Sequence, residues 1–471
     1  TRPATRATTS NAPAGKYTIL AYKDGVQKAK WVLNYNGSTY TMAEGNAEQY
    51  LPAGTYKFYA FNDKVSFADG KIVKSLTNAS ENALYFEGDL PIPNTKKHTL
   101  SFTLKPVFAK LFFKIKAFSN AAFNYDMSGT FNYAAATLPA TETVDPTSGT
   151  TTTAKNTAAG SVPVTNFTAN VGSSDGKSSS IVTQTANYFF PGTDITKLNF
   201  KFNSTAGGTI YGKAVKGKTL NITNSVPNLE AGKIYTVFVT IYYSADYLFS
   251  DGSVGTLLNN KGKTPVGLVL SVGDKLAIGI SNVGNYAWST LGSKGRGGEA
   301  TNNYFYGENN SGLVQAIAKA DGEQETWDGS YTRKPRNQVK AQNNSGFPAF
   351  VAAANYKAQV NGKRWFLPGA GDWDKALKYF GIADAAQGYK KSRQQKHAWS
   401  SSGLGYQLAE ILFYQVDGDA FNDWYWTANA WNSANAAAIS VLIYDNTNPE
   451  KVHFGGAEKN NTAQVRAFIK Y

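Results

Sequence analysis

The stretch Lys110-Leu-Phe-Phe-Lys-Ile-Lys-Ala117 constrains this chain more than any other. Leu111, Phe113, Ile115 and Ala117 fall on one side of an extended backbone, and Lys110, Lys114 and Lys116 on the other. Successive side chains of a strand point to opposite faces, so this is a half-buried strand with a wet lysine face. The alternation recurs in Tyr235-Thr-Val-Phe-Val-Thr-Ile-Tyr242, with Tyr235, Val237, Val239 and Ile241 inward. Tyr56, Phe58 and Ala60 repeat it after the turn signal Pro52-Ala-Gly54. Turns are expected at Asp24-Gly25, Asn36-Gly37, Asp69-Gly70, Pro191-Gly192 and Gly207-Gly208. Short strands between regular turns predict a β-sandwich or Greek-key architecture. The 28 Tyr, 27 Phe and 9 Trp beside 2 Met agree with a sheet-forming palette.

At 471 residues and 42% hydrophobic content the chain has room for about three domains with real cores. Between Thr141 and Ser180 large apolar residues thin out in favour of Thr, Ser and Gly, and alternation resumes at Asn187-Tyr-Phe-Phe190 and Leu198-Asn-Phe-Lys-Phe202. The expected division is therefore an N-terminal segment over 1–15, a β-sandwich over 16–140, a second over 141–245, and a third unit over 246–471. Ser250-Asp-Gly-Ser253 and Asn260-Lys-Gly-Lys263 read as a connector into that third unit. Beyond them Val266, Leu268, Leu270 and Val272 alternate, and Leu276, Ile278 and Ile280 follow a turn around Gly273-Asp274. Trp373, Leu377 and Phe380 at i, i+4 and i+7 predict the first clear helix, with others over 347–358 and 404–414. The chain closes on a strand, Val465-Arg-Ala-Phe-Ile-Lys-Tyr471, so this unit is α+β.

Chemistry is sparse. With no Cys there are no disulfides and no thiolate metal sites. His98, His397 and His453 lack the neighbours of a metal or acid–base site. The run Gly292-Ser-Lys-Gly-Arg-Gly-Gly298 lacks the Gly-Lys-Ser/Thr ending of a phosphate loop and reads as a plain loop. Asp372 and Asp374 flank Trp373 at a helix start, which favours carboxylates without any catalysis. Asp417-Gly-Asp419 lacks the rest of a calcium loop. No catalytic residue, metal ligand or cofactor is assigned, and the chain reads as a non-enzyme. The net charge of +14 is carried mainly by residues 1–245, with 24 basic and 14 acidic residues. Those lysines are scattered singly on strand faces, which excludes nucleic acid as the expected partner. No stretch of about 18 apolar residues is present. The polar start, Thr1 to Ser10, has no apolar signal core, which fits a cytosolic protein or a trimmed export product. Trp327, Trp399 and Trp431 with Asn432 sit among amides, hydroxyls and carboxylates, a setting suited to stacking on sugar rings. Trp424 and Trp426 share one face of a strand and read as core.

Thr5-Arg-Ala-Thr8, Tyr17-Thr-Ile-Leu-Ala-Tyr22, Leu51-Pro-Ala-Gly-Thr-Tyr-Lys-Phe-Tyr-Ala-Phe-Asn62 and Phe108-Ala-Lys-Leu-Phe-Phe113, in that order, resemble the fimbrillin superfamily. These are protease-matured pilins and adhesins of Gram-negative anaerobes, and the resemblance covers about residues 1–245. It implies two β-sandwich domains, export as a lipoprotein to the outer membrane, and cleavage after an Arg by a trypsin-like protease. Arg6, or else Arg2, is the position that fits. Removal of a first strand would then leave a groove for a strand from a neighbouring subunit. Residues 246–471 resemble a surface domain related in fold to C-type lectins. The residues behind that likeness are Ser250-Asp-Gly252, Lys263-Thr-Pro-Val-Gly-Leu268, Trp365-Phe-Leu-Pro-Gly369 with Trp373, Tyr425-Trp-Thr427 and Val465-Arg-Ala-Phe468. The Glu-Pro-Asn and Gln-Pro-Asp motifs of calcium-dependent lectins are absent from the sequence.

Together these readings give a mainly β chain that acts as a fimbrial tip subunit and adhesin on the cell surface. Its expected partners are other pilin subunits by strand addition, the maturation protease, and a host or microbial surface ligand, with a glycan among the candidates. A stalk pilin needs a free carboxyl-terminal segment to donate, whereas Val465 to Tyr471 reads as a core strand. The alternative function is a surface lipoprotein that captures or processes polysaccharide.

Overall fold

The computed structural model describes residues 11–95, 97–120, 122–123, 127–164, 167–168, 171–203, 207–223, 228–291, 315–381, 395–397, 406–421, 424–430, 437–443 and 452–471. It is mainly β and divides into two compact units. The first comprises 1–116, 123–171 and 180–240; the second comprises 117–122, 172–179 and 241–471.

In the first unit a six-stranded antiparallel sheet runs in the order Tyr40–Glu44, Val26–Tyr35, Gly15–Lys23, Gly54–Asn62, Leu84–Ile92, Lys105–Pro106. Its first hairpin turns at Asp24 (φ 51°) and Gly25 (φ 72°), the left-handed pair that a two-residue hairpin demands. Leu20, Tyr22, Tyr59 and Phe61 share one face and pack on Ile72 and Val144. Those two belong to the sheet of Ser66–Ala68, Lys71–Ser75, Pro139–Asp145 and Thr150–Lys155. Two sheets closing over one apolar layer make a sandwich.

A second pair of sheets is built around Ala109–Phe118. Its odd residues are buried and its even ones half exposed up to Lys116, as the lysine alternation requires. Phe113 is fully buried and meets Phe131 and Phe200 with ring centres 5.3 and 4.7 Å apart. Phe131 and Phe200 sit on the facing sheet of Gly160–Val164, Gly129–Tyr133, Leu198–Phe202 and Thr219–Asn221. The Thr-rich stretch after Thr141 thus forms edge strands rather than a linker. The boundary expected at 140/141 falls inside Pro139–Asp145, whose Thr141 to Val144 pair with Ser75 to Ile72. Ala109–Phe118, in turn, pairs with Asn187–Phe189 and Ile234–Thr240 from the other side of that boundary.

The second unit is α+β. A five-stranded sheet has the order Val254–Thr256, Asp246–Phe249, Pro265–Ser271, Leu276–Gly279, Phe468–Lys470. A six-stranded one runs Gly284–Ala287, Thr462–Val465, Trp424–Ala430, Ala437–Ile443, Val452–Glu458, Gln395–His397. Ser250 to Ser253, expected as part of a connector, instead forms the turn between Asp246–Phe249 and Val254–Thr256, which pair in the first of these sheets, and Asn260 to Lys263 lies in the loop leading into Pro265–Ser271. The turn at Gly273-Asp274 forms as expected, with the Asp274 amide donating to Ser271 Oγ. Helices span Gly322–Trp327, Pro348–Ala354, Ala370–Phe380 and Tyr406–Tyr414. The Trp373 face of Ala370–Phe380 is buried, and Gly381 stops that helix in the left-handed conformation. Trp288, Trp365, Trp373 and Trp426 are fully buried. Each indole N–H donates to a backbone carbonyl, of Thr427, Ala358, Trp426 and Tyr286 respectively, so no polar atom is stranded by their burial. Among the described residues no helix is long and apolar enough to cross a membrane.

Candidate functional site

Two backbone segments stand out by how they are paired and covered. The first is the carboxyl-terminal stretch. Val465, Arg466, Ala467, Phe468 and Ile469 are all fully buried. Phe468, Ile469 and Lys470 pair with Ile278, Ala277 and Leu276, and Val465 pairs with Gly284. Phe468 also exchanges both backbone hydrogen bonds with Phe366, at 2.9 and 3.0 Å. Arg466 then fastens the segment: its guanidinium donates to the carbonyls of Gly279, Ile280 and Asp419 and to Asn282 Oδ1, at 2.7–2.9 Å. The same group lies 4.2 Å from the centre of the Phe413 ring. A buried cation is tolerated here because several carbonyl dipoles surround it, although burial holds it below the ordinary arginine value.

The second segment is Ile234–Thr240. It pairs in parallel with Ala109–Phe118, from Ile234 opposite Lys110 to Thr240 opposite Lys116. Among the described residues it has no second partner strand. One face carries buried Val237 with half-buried Tyr235 and Val239. The other shows Ile234, 47% exposed, and Phe238, 51% exposed. The Lys114 ammonium sits 5.6 Å from the centre of the Phe238 ring. An open edge bearing exposed apolar side chains is a template for pairing with another strand. Sequence reasoning placed Tyr235, Val237 and Val239 inward and passed over this face. Phe238 at the outward parity was the signal that could have found it.

Of the ligand candidates, Trp327 is half-buried at the end of the helix Gly322–Trp327. Its indole N–H donates to the Trp365 carbonyl at 2.9 Å, and the Arg364 guanidinium lies 4.0 Å from its ring centre. That cation occupies part of the surface a sugar would stack on. Trp399, Trp431 and Asn432 lie outside the described residues, as do Arg2, Arg6 and the glycine-rich run over 292–298. Trp426 is core, whereas Trp424 at the strand start is 37% exposed. His98 is exposed. The strand register sets His397 opposite Val452 and Lys396 opposite His453.

The carboxylates have structural partners. Asp372 is fully buried and accepts from the amides of Gly369 at 2.8 Å and Gly322 at 3.2 Å, closing the helix start. Burial pushes its carboxyl up to about 6 against those two hydrogen bonds and the nearby Lys470 charge. Asp374 pairs with Lys378 one turn on, at 2.9 Å. Asp419 accepts from the Asn282 amide at 3.0 Å, and Asp417 pairs with Lys177 at 3.0 Å. Among the described residues no group of three or more His, Asp or Glu is placed to hold a metal ion. Sequence reasoning also missed a buried polar cluster. Lys340 Nζ donates to Glu325 Oε2 at 2.9 Å and to the Glu325 and Tyr331 carbonyls at 3.0 and 3.3 Å, with both residues fully buried. Lys459, equally buried, has its ammonium 4.8 Å from the Trp288 ring centre and no hydrogen-bond partner.

No family model matches the chain, and no curated protein matches it. Several solved structures do. A fimbrial protein from Bacteroides vulgatus is 15% identical over 49% of this chain and 89% of its own, with a TM-score of 0.32. A proposed cell adhesion protein from Bacteroides fragilis is 15% identical over 54% of this chain and 90% of its own, with a TM-score of 0.27. The fimbrial anchor protein Mfa2 from Porphyromonas gingivalis is 8% identical over 43% of this chain and 74% of its own, with a TM-score of 0.22.

Proposed function

We propose that this chain is a cell-surface fimbrial subunit of the adhesin type. In this reading it accepts a neighbour's strand along the open edge of its first unit and presents its second unit to a host or microbial surface ligand. The observation that carries the reading is the strand Ile234–Thr240, paired on one side only among the described residues and showing Ile234 and Phe238 to solvent. Strand addition at such an edge supplies main-chain hydrogen bonds for affinity, with alternate side chains setting specificity. The tip position is the finer part of the proposal. It is supported by Val465 to Ile469, which are buried and held by pairing and bridging within their own unit. Maturation after Arg6 or Arg2, a lipid anchor at the outer membrane, and a lectin-like role for residues 246–471 complete the reading.

The test is to mix the chain with a fimbrial subunit that carries a free donor segment and to look for an SDS-resistant heterodimer. The heterodimer should form with the unaltered chain and be lost in the double variant Ile234→Lys/Phe238→Lys, whose circular dichroism stays unchanged. A heterodimer that survives the double variant, or its absence with every donor subunit tried, overturns the assembly role.

A further inference from the structure

The first sandwich has an open end, and the open end is a cleft. Its volume is about 390 Å³, within the range of small-ligand sites. One wall is the hairpin at Asp24-Gly25 and the other is the turn Pro146 to Gly149 from the facing sheet. The two approach so closely that a methyl group on Gly25 would come within 2.6 Å of the Thr147 carbonyl oxygen. The floor is a row across three strands: Tyr22 lies opposite Lys57, and Lys57 opposite Asp89. Tyr59 is one step deeper on the same face, its ring centre 5.9 Å from that of Tyr22 in an edge-on contact.

Two features identify what such a cleft takes. The lining lysines are engaged elsewhere, Lys57 with Glu87 at 2.8 Å and Lys23 with its ammonium 5.3 Å from the centre of the Tyr56 ring, so no cation is left in the cleft to hold a strong anion. The remaining groups are hydroxyls and tyrosine rings. Tyr59 is itself fully buried, yet its hydroxyl has no hydrogen-bond partner. A stranded buried hydroxyl costs free energy that an incoming hydroxyl removes. Burial and the carboxylates of Glu87, Asp89 and Asp145 push that phenol up to about 12, so it stays a neutral donor. Exposed Asp24 and Asp89 add carboxylate acceptors at the rim for a ligand's hydroxyls.

We propose that this cleft binds a neutral polyhydroxylated ligand, one or two sugar residues in size, at a place separate from the strand edge and from the tryptophans of the second unit. The site does not depend on subunit assembly, so its success or failure is independent of the function proposed above.

Saturation-transfer NMR on the full chain, with the methyl glycosides of glucose, galactose, mannose and N-acetylglucosamine as probes, tests it. At least one neutral glycoside should show transfer, and Tyr59→Phe and Asp89→Asn should each weaken it roughly tenfold, the equivalent of one lost hydrogen bond. Tyr59→Phe removes only the stranded hydroxyl and Asp89 is exposed, so both variants fold, which circular dichroism checks. N-acetylneuraminic acid and spermidine should give no transfer that these variants abolish. The proposal is overturned if no neutral glycoside shows transfer, if transfer is undiminished in both variants, or if the charged probes are the ones that depend on Tyr59 and Asp89.

Discussion

In the second unit the strand Phe468–Lys470 ends its sheet, paired with Leu276–Gly279 on one side and bridged to Phe366 at Phe468 on the other, and the Arg466 guanidinium makes four hydrogen bonds beside it. In the first unit Ile234–Thr240 has one neighbouring strand among the described residues, and its Ile234 and Phe238 face solvent. Both are short strands rich in Phe and Ile, so composition does not separate them. What separates them is whether the face away from the core has something to meet. Phe468 finds Trp373 at 5.3 Å between ring centres, whereas Phe238, 51% exposed, has the Lys114 ammonium 5.6 Å from its ring centre. A strand whose apolar side chains are all covered is a structural end point. A strand with a free edge and a free face is a place where something else can attach.

The contrast can be broken from the closed side first. Phe468→Ala should lower stability by about 3–5 kcal/mol, the cost of a cavity at a fully buried aromatic. Urea denaturation followed by tryptophan emission is the suitable measurement, since of the nine tryptophans only Trp31 precedes residue 288. A loss near zero would mean that the segment is not locked.

A sharper probe of the closed unit is Lys459. Its amine is pushed down to about 7 by burial, with repulsion from Lys340 adding to the effect. The unfolded chain keeps that proton up to the ordinary lysine value of 10.5. Between about 7 and 10 the unfolded state therefore binds more protons, and stability rises with pH. Lys459→Met should raise the melting temperature at pH 7 by a few degrees and remove this contribution to the slope between pH 7 and 9.5. A variant that melts lower at pH 7 with the slope intact would show that the amine is not a stranded charge.

The smallest effect belongs to the open side. Ile234→Lys/Phe238→Lys should change the stability of the isolated chain by less than about 1 kcal/mol, because both side chains are half exposed already. A loss of several kcal/mol in the same denaturation experiment would show that this face is core, and the contrast would vanish.

The parts of the fold that were legible in the sequence are those where one strong periodicity acts alone. The lysine alternation of 110–117 gave the central strand, and Trp373, Leu377 and Phe380 gave the buried helix face. The Asp-Gly and Gly-Asp pairs marked hairpins because so few backbones can make those turns. Illegible were the features that depend on what lies across space. The Thr-rich strand Thr150–Lys155 is exposed along its whole length, so no apolar period marks it as a strand. Nothing near Arg466 in sequence reveals that three carbonyls from distant loops converge on it. The cleft at Tyr59 is similarly silent, since a tyrosine on an inward parity reads as core, and only the facing turn turns its neighbourhood into a mouth. The open edge was half legible: its inward residues stood out, while the outward Phe238 was absorbed into the same apolar run.

The parallel pairing of Ile234–Thr240 with Ala109–Phe118 has a consequence for whatever binds there. Along a pleated edge each step of one residue reverses which side chains lie up and which lie down. A newcomer offset by a single position would present its bulky groups to water and its charged ones to Val237. Such an edge accepts many different sequences that share one rhythm and rejects a close relative that is out of phase, so recognition by it is a matter of timing along the chain more than of any particular residue.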